Sequence, residues 1–175
     1  MAQTLQATQL TGESVFFVRV APGHVNEAIQ EFSKQPNVTN VQPTLGAYDI
    51  LVTGRWNDFH GLSVFRAYAE SQSYCSGCDV APGIATWSRD NAPSNGYPLS
   101  GWSMIWTANP TETIRNLQTI PNVNGIHTTI GEYNLIVQFS VSTPRELMTT
   151  VTNQFHTYKE ITRTETFVSF PNPKA

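Results

Sequence analysis

One segment of this chain occurs twice, and that repeat limits the available folds more than any other feature. Residues 36–52, PNVTNVQPTLGAYDILV, return without a gap as residues 121–137, PNVNGIHTTIGEYNLIV. The identical pairs include the Pro-Asn-Val start, one threonine, one glycine, one tyrosine and the final valine. Internal self-similarity is typical of a structural unit that is used more than once. We therefore interpret the chain as a tandem duplication whose two halves fold alike.

The first half predicts elements in the order β-α-β-β-α-β. Apolar residues at positions 25, 28, 29 and 32 have the spacing of one buried helical face, so a helix is predicted after Gly23. Asp58 is the predicted N-cap of a second helix that runs to about Ser73. The predicted strands are Val15–Val20, Val38–Gln42, Tyr48–Gly54 and Ile84–Arg89.

The second half repeats this order after a segment rich in proline, glycine, serine and asparagine. Two of its predicted helices begin with capping sequences, NPTE at residues 109–112 and TPRE at residues 143–146. The predicted organisation is a flexible tail at 1–13, a first repeat at 14–89, a linker at 90–101, a second repeat at 102–170 and a tail at 171–175.

Each predicted repeat is a ferredoxin-like α+β unit, in which two helices cover one face of a four-stranded antiparallel sheet. The strands carry apolar residues on both faces, because Leu135 and Val137 alternate with Ile136. Packing sheet against sheet buries the second face, and the two ferredoxin-like repeats then form a pseudo-dimeric α+β barrel of eight strands. Pairing between separate chains, which gives a homo-oligomer, is the alternative that the sequence leaves open.

The charge content argues against two classes of partner. Charged residues make up only 13% of the chain and the formal net charge is -3, so the basic face that nucleic-acid binding needs is not expected. The first residues lack the apolar run of a secretory signal, and no stretch is long and apolar enough to span a bilayer. We expect a cytoplasmic protein with neither a nucleic-acid nor a membrane partner.

Four segments resemble the effector-binding domain of the Lrp/AsnC family of regulators. These are FVRVAPG at 17–23, PNV at 36–38, GAYDILV at 46–52 and ITRTET at 161–166. The resemblance extends over residues 14–89 and 102–170. It implies a small-molecule-sensing or assembly module that binds amino acids between paired subunits. Because the sequence shows no counterpart of that family's helix-turn-helix domain, DNA binding is not part of the expectation.

The repeated glycine turn is the leading candidate for a ligand site. Its residues are Gly46, Tyr48 and Asp49 in the first copy and Gly131, Tyr133 and Asn134 in the second. Backbone N–H groups of such a turn suit a carboxylate, and the Asp49 carboxylate suits an ammonium group, as in an amino acid. The same residues also fit a purely structural turn. Asn134 replaces the acid by an amide, which makes an equivalent second site less expected.

His127 and the two cysteines are the remaining candidates. His127 lies opposite Gln42 of the first copy, either inside the barrel or at its surface. Cys75 and Cys78 form a lone CxxC in a predicted loop, which fits a redox pair, half of a metal site or two incidental thiols. We predict no catalytic residue and no cofactor, since the common catalytic motifs are absent from the sequence.

Three functions remain open to the chain. The leading hypothesis is a non-enzymatic, regulatory module that binds an amino-acid-like molecule. The second is a small barrel enzyme, of the cofactor-free monooxygenase or isomerase type, acting on an apolar or aromatic substrate. An enclosed cavity that exposes His127 or Tyr133 beside a tryptophan would favour the enzyme. The third hypothesis is a structural subunit of an assembly.

Overall fold

The second half of the chain folds in the predicted order of strands and helices, and the first half has that order with one additional strand. The computed structural model describes residues 9–90 and 99–169. The first half comprises β1 (Ser14–Val20), α1 (Val25–Phe32), β2 (Val38–Leu45), β3 (Ile50–Gly54), α2 (Phe59–Ser71), β4 (Cys75–Ala81) and β5 (Gly83–Ser88). The second half comprises β6 (Leu99–Thr107), α3 (Pro110–Gln118), β7 (Val123–Thr129), β8 (Leu135–Val141), α4 (Pro144–Thr149) and β9 (Ile161–Ser169). A π turn and a 3-10 turn, Thr150–Gln154 and Phe155–Thr157, lie between α4 and β9.

The predicted helix caps are confirmed. The side chains of Asp58, Asn109 and Thr143 each accept a hydrogen bond from the backbone N–H three residues later. These bonds satisfy N–H groups that have no partner inside the first helical turn. The buried face predicted for α1 is also confirmed, because Ala28, Ile29 and Phe32 are its buried residues. No helix in the described ranges has the length and apolarity needed to cross a membrane.

The nine strands form one antiparallel sheet in the order β4-β1-β3-β2-β9-β6-β8-β7-β5. The strands at its two ends, β4 and β5, are consecutive in the chain and are joined through Pro82. The chain itself therefore closes the sheet, and β4–β5 acts as one long strand that pairs first with β1 and then with β7. Counting β4–β5 once gives the predicted eight-stranded α+β barrel. The halves pair within the chain.

The fourth strand of the first half differs from the prediction. Residues 75–81, expected as a loop, form β4 beside β1. The expected fourth strand, Ile84–Arg89, corresponds to β5, which pairs with β7 of the second half. Small and polar residues in SGCD obscured the strand pattern, and Pro82, which has no N–H group, marks the point where the strand changes partner.

Three apolar cores hold the fold together. One lies between the first pair of helices and the sheet and includes Phe16 and Phe32. The second lies under the helices of the second half and includes Phe139 and Phe155. The third fills the barrel interior with residues from both halves. Sheet-against-sheet burial of the inner face is thus observed.

The expected terminal tails and linker fall mostly outside the described residues, at 1–8, 91–98 and 170–175. Residues 9–13 belong to the predicted mobile tail but pack against the barrel. Leu10 is 5% exposed, and its N–H donates to the Asn57 carbonyl at 3.2 Å. The Glu13 N–H donates to Thr86 Oγ1 at 2.8 Å. An apolar side chain and these backbone bonds fix a segment whose sequence shows no periodicity.

Candidate functional site

A cavity of about 300 Å³ lies between the two halves, where the β7–β8 turn meets β4. Both hairpin turns lie at this end of the barrel, because β2 and β7 run in the same direction. The apolar residues that line the cavity are Phe17, Val80, Ala81, Met104 and Ile130. The polar residues are Tyr48, Arg66, Asp79, Glu132 and Tyr133, and Gly131 completes the lining.

On the first-half side of the cavity, Tyr48, Asp79 and Arg19 form a hydrogen-bonded trio. Its hydroxyl donates to Asp79 Oδ2 at 2.7 Å, and Arg19 Nη2 donates to the same oxygen at 3.3 Å. The Arg19 guanidinium carbon lies 4.3 Å from the centre of the tyrosine ring, a cation–π arrangement. Burial, followed by the hydrogen bond to Asp79, raises the pKa of Tyr48 to about 12. The Tyr48 hydroxyl is therefore protonated at neutral pH.

The second half builds a comparable trio with its arginine on a different strand. The Tyr133 hydroxyl donates to Glu165 Oε2 at 2.9 Å, and the Arg163 guanidinium lies 5.1 Å from the tyrosine ring centre. Arg163 also pairs with Glu132. Burial, and then the Glu165 hydrogen bond, raise the pKa of Tyr133. The arginine comes from β1 in one half and from β9 in the other, yet each lies over its tyrosine.

Residues of the β7–β8 turn line the cavity. Gly131 has φ +141, a conformation that glycine adopts without strain. Within the described residues, the N–H groups of Gly131, Glu132 and Tyr133 make no hydrogen bond, although all three residues line the cavity. Such a turn is a suitable contact for an anionic group.

The structure brings three of the predicted site residues together, Tyr48, Gly131 and Tyr133. Asp49 and Asn134 are not in the lining and have a shared structural role. Asp49 Oδ2 accepts the Val20 N–H at 2.9 Å, and Asn134 Oδ1 accepts the Thr107 N–H at 3.0 Å. Each fixes its turn to the neighbouring strand, so the change from acid to amide leaves the cavity unaffected.

Gly46 lies outside the cavity lining, and its surroundings explain why the turns differ. An added Cβ at Gly46 would lie 2.8 Å from the Phe167 ring, whereas one at Gly131 would meet nothing within 4 Å. The first turn therefore packs against an aromatic side chain. The second turn faces open space.

Arg66, Asp79 and Ala81 also line the cavity, although the sequence did not indicate them as site residues. Two of them belong to β4, which had been expected as a loop. Arg66 lies on the exposed side of α2. The apolar spacing of this helix predicts only that Arg66 faces solvent. The apolar pair Val80-Ala81 before Pro82 was the one signal in the sequence that pointed to a strand here.

His127 lies in the barrel interior, outside the cavity lining. It is 3% exposed, and its ring stacks on Trp102 with the ring centres 5.8 Å apart. Its Nδ1 lies 3.4 Å from Thr86 Oγ1 and 3.8 Å from Glu13 Oε2, and its Nε2 has no hydrogen-bond partner among the described residues. Burial lowers the pKa of His127 to about 4, so the ring is neutral at pH 7.

A pH dependence of folding follows from this burial. The pKa of His127 is about 4 in the folded chain and about 6.5 in the unfolded chain, so the unfolded state binds the extra proton between these values. Stability from neutral His127 is complete above pH 6.5 and falls by up to about 1.4 kcal/mol per pH unit as the pH drops toward 4. Urea titrations across this range measure the slope.

His127→Gln is expected to remove most of that slope, because glutamine does not titrate and already occupies the equivalent position, Gln42. His60→Gln on the exposed side of α2 is the matched control and should leave the slope in place. An unchanged slope in the His127 variant would show that another group causes the pH dependence.

The two cysteines belong to β4 and not to a loop. Cys78 is 2% exposed and packs in the first core. Both thiols are free, and burial raises the pKa of Cys78 to about 12, which disfavours the reactive thiolate. In the described part of the chain, no group of three or more histidine, cysteine or acidic side chains is placed to hold a metal ion.

One part of the sequence matches a known family model, and the fold is similar to that of solved structures. Residues 107–175 match the family model of the Lrp/AsnC ligand binding domain. No curated protein matches the chain in sequence. Among solved structures, the siroheme decarboxylase NirDL is similar with a TM-score of 0.69 and 11% identity, over 90% of this chain and 70% of that one.

An anthrone oxidase-like protein is similar with a TM-score of 0.53 and 9% identity, over 94% of this chain and 92% of that one. E. coli AsnC has a TM-score of 0.42 and 22% identity, over 51% of this chain and 64% of that one. At 11% and 9% identity, the similarities to NirDL and to the anthrone oxidase-like protein show a shared fold alone. They agree with an α+β barrel built from two ferredoxin-like halves.

Proposed function

We propose that this protein is a regulatory module that binds a small, amino-acid-like carboxylic acid in the cavity between its halves. The observation that carries the proposal is the cavity itself, which has an apolar side and charged groups of both signs around it. Ligand sites commonly combine an apolar surface with a few convergent polar groups. The match of residues 107–175 to a ligand binding domain supports the same class of function.

The lining suggests which part of the ligand lies where. The side chains of Phe17, Met104 and Ala81 suit an aliphatic or aromatic body. A carboxylate suits Arg66 and the N–H groups of the β7–β8 turn, and an ammonium group suits Asp79 and Glu132. A volume of about 300 Å³ is at the small end of ligand sites, which favours a single metabolite over a large cofactor.

The enzyme alternative has one supporting feature, Tyr133 in the cavity. The tryptophan expected beside it is absent from the lining, and Trp102 stacks on His127 inside the barrel instead. The raised pKa values of Tyr48 and Tyr133 keep both phenols protonated at neutral pH, so neither is suited to act as a base there. The geometry therefore favours binding over proton abstraction. The assembly hypothesis does not explain why a cavity with both charge signs remains open.

A thermal-shift screen of the full chain against amino acids and related aromatic and branched carboxylic acids tests the proposal. A ligand at 100 times its Kd stabilises the folded state by about 2.7 kcal/mol. We expect at least one compound of this class to raise Tm in proportion to the logarithm of its concentration. No rise with any compound would contradict the proposal.

Arg66→Gln is expected to weaken the best compound by about 5- to 10-fold, because it removes a half-exposed charged donor to the carboxylate. Arg115→Gln is the matched control, since Arg115 also forms an ion pair within a helix, with Glu112, but lies outside the cavity lining. Calorimetric titration measures both. Equal affinities in the two variants would exclude Arg66 as a ligand contact.

A further inference from the structure

Among the described residues, the barrel has two positions related by its internal symmetry, and one of these two is open. In the first half, Phe17 of β1 pairs with Leu51 and Asp79. In the second half, Met104 of β6 pairs with Ile136 and Glu165. The β4 and β9 strands therefore have the same register in the two halves. Two residues further along, Ala81 of β4 is the counterpart of Phe167 of β9.

These two counterparts have opposite effects on the space beside them. Ala81 lines the cavity beneath the β7–β8 turn. Phe167 is 1% exposed and occupies the equivalent space beneath the β2–β3 turn. Its ring centre lies 5.7 Å from that of Phe17 and 5.5 Å from that of Tyr48. A small residue in one half thus corresponds to a large aromatic residue in the other.

The two glycine turns give an independent measure of the same difference. A Cβ placed on Gly46 would approach the Phe167 ring to 2.8 Å, and a Cβ placed on Gly131 would find no atom within 4 Å. Both glycines have a positive φ, of +147 and +141, so the turns have similar backbones. The side chain on the facing strand, and not the turn, sets whether a cavity exists.

We infer that the described barrel has a single ligand site between its halves, and that the Ala81–Phe167 difference selects which of the two symmetry-related positions binds. The inference rests on the proposed function for its ligand, but the cavities it concerns can be counted without one. Phe167 has a second role, since its ring packs on Tyr48 and so supports one side of the open cavity. A single-site module responds to ligand without cooperativity between its own halves.

Crystal structures of the wild type and of variants at Ala81 and Phe167 test the inference, because the space at both positions can be measured whatever the natural ligand is. The wild-type chain is expected to have a cavity beside Ala81 and none beneath the β2–β3 turn. Ala81→Phe should lose that cavity, and Phe167→Ala should gain one at the second position. The double variant Ala81→Phe/Phe167→Ala should move the site from one half to the other.

A cavity at both positions of the wild-type chain, or at neither, would overturn the inference, as would a cavity of unchanged volume in Ala81→Phe. If Phe167→Ala fails to fold, Phe167→Leu opens part of the same space and gives the same comparison. Calorimetric titration with the best compound of the thermal-shift screen should give ratios of one and zero for wild type and Ala81→Phe. A failed screen with the expected pattern of cavities would remove the proposed ligand class and keep the single cavity.

Discussion

Replacing Trp102 with alanine is expected to lower the free energy of unfolding by about 3–5 kcal/mol, the range for removing a large aromatic side chain from a core. Trp102 is 1% exposed and belongs to the core shared by the two halves. Its Nε1 donates to Gln42 Oε1 of the first half at 3.2 Å. Since Gln42 Oε1 also accepts the Ser169 hydroxyl at 2.9 Å, the substitution loosens a contact between β2 and β9.

Trp106→Ala is the matched control, because Trp106 lies on the same strand but is 41% exposed. Its loss should cost less than about 1 kcal/mol. Urea unfolding measures both variants, and hydrogen exchange followed by mass spectrometry shows where protection is lost. We expect the Trp102 variant to lose protection in both halves together. Loss confined to the second half would mean that the halves do not share a core.

Gly83→Ala is expected to destabilise the chain by about 3 kcal/mol, the upper part of the range for an overpacked core. An added Cβ would lie 2.0 Å from the Glu13 carbonyl oxygen and 2.9 Å from the Gly12 carbonyl carbon. Both are backbone atoms, which cannot rotate away as a flexible side chain does. Gly83 begins β5 just after Pro82, so the substitution acts where the chain closes the barrel.

Gly125→Ala provides the control for Gly83→Ala. Gly125 pairs with Ser88 in the same β5–β7 ladder, but its added Cβ would have ordinary contacts at 3.6 Å. Gly125→Ala should change the free energy of unfolding by less than about 1 kcal/mol. Exchange rates of the β5–β7 amides measure the closure directly. If Gly83→Ala leaves them protected and the stability unchanged, Gly83 is not required for the closure.

The helices could be predicted from the sequence because their signals are local. Apolar spacing located α1, and Asp58, Asn109 and Thr143 located three helix starts. The barrel was predicted, but the strand that closes it could not be, since the closure depends on one strand changing partner at Pro82. Strand partners are long-range choices, and a pattern of alternating residues does not identify the neighbour.

The candidate site was predicted in part for a similar reason. The repeated glycine turns indicated Tyr48, Gly131 and Tyr133 as site residues, and all three line the cavity. Asp49 and Asn134 were also predicted as site residues. In a sequence, a polar residue after a turn looks the same whether it binds a ligand or accepts a hydrogen bond from an N–H group of a neighbouring strand. Ala81 could not be predicted as a site residue, because a small apolar side chain carries no functional group that indicates a site. Its importance comes from the absence of a side chain where Phe167 has one.

NMR of the full chain with labelled methionine methyl groups tests the claim that a small carboxylic acid binds between the halves. Met104 lines the cavity, and Met148 is 60% exposed on α4. Titration with the compounds of the thermal-shift screen should move the Met104 signal, with saturation at one ligand per chain, and leave Met148 unchanged. A compound that stabilises the chain while the Met104 signal stays fixed would contradict the claim.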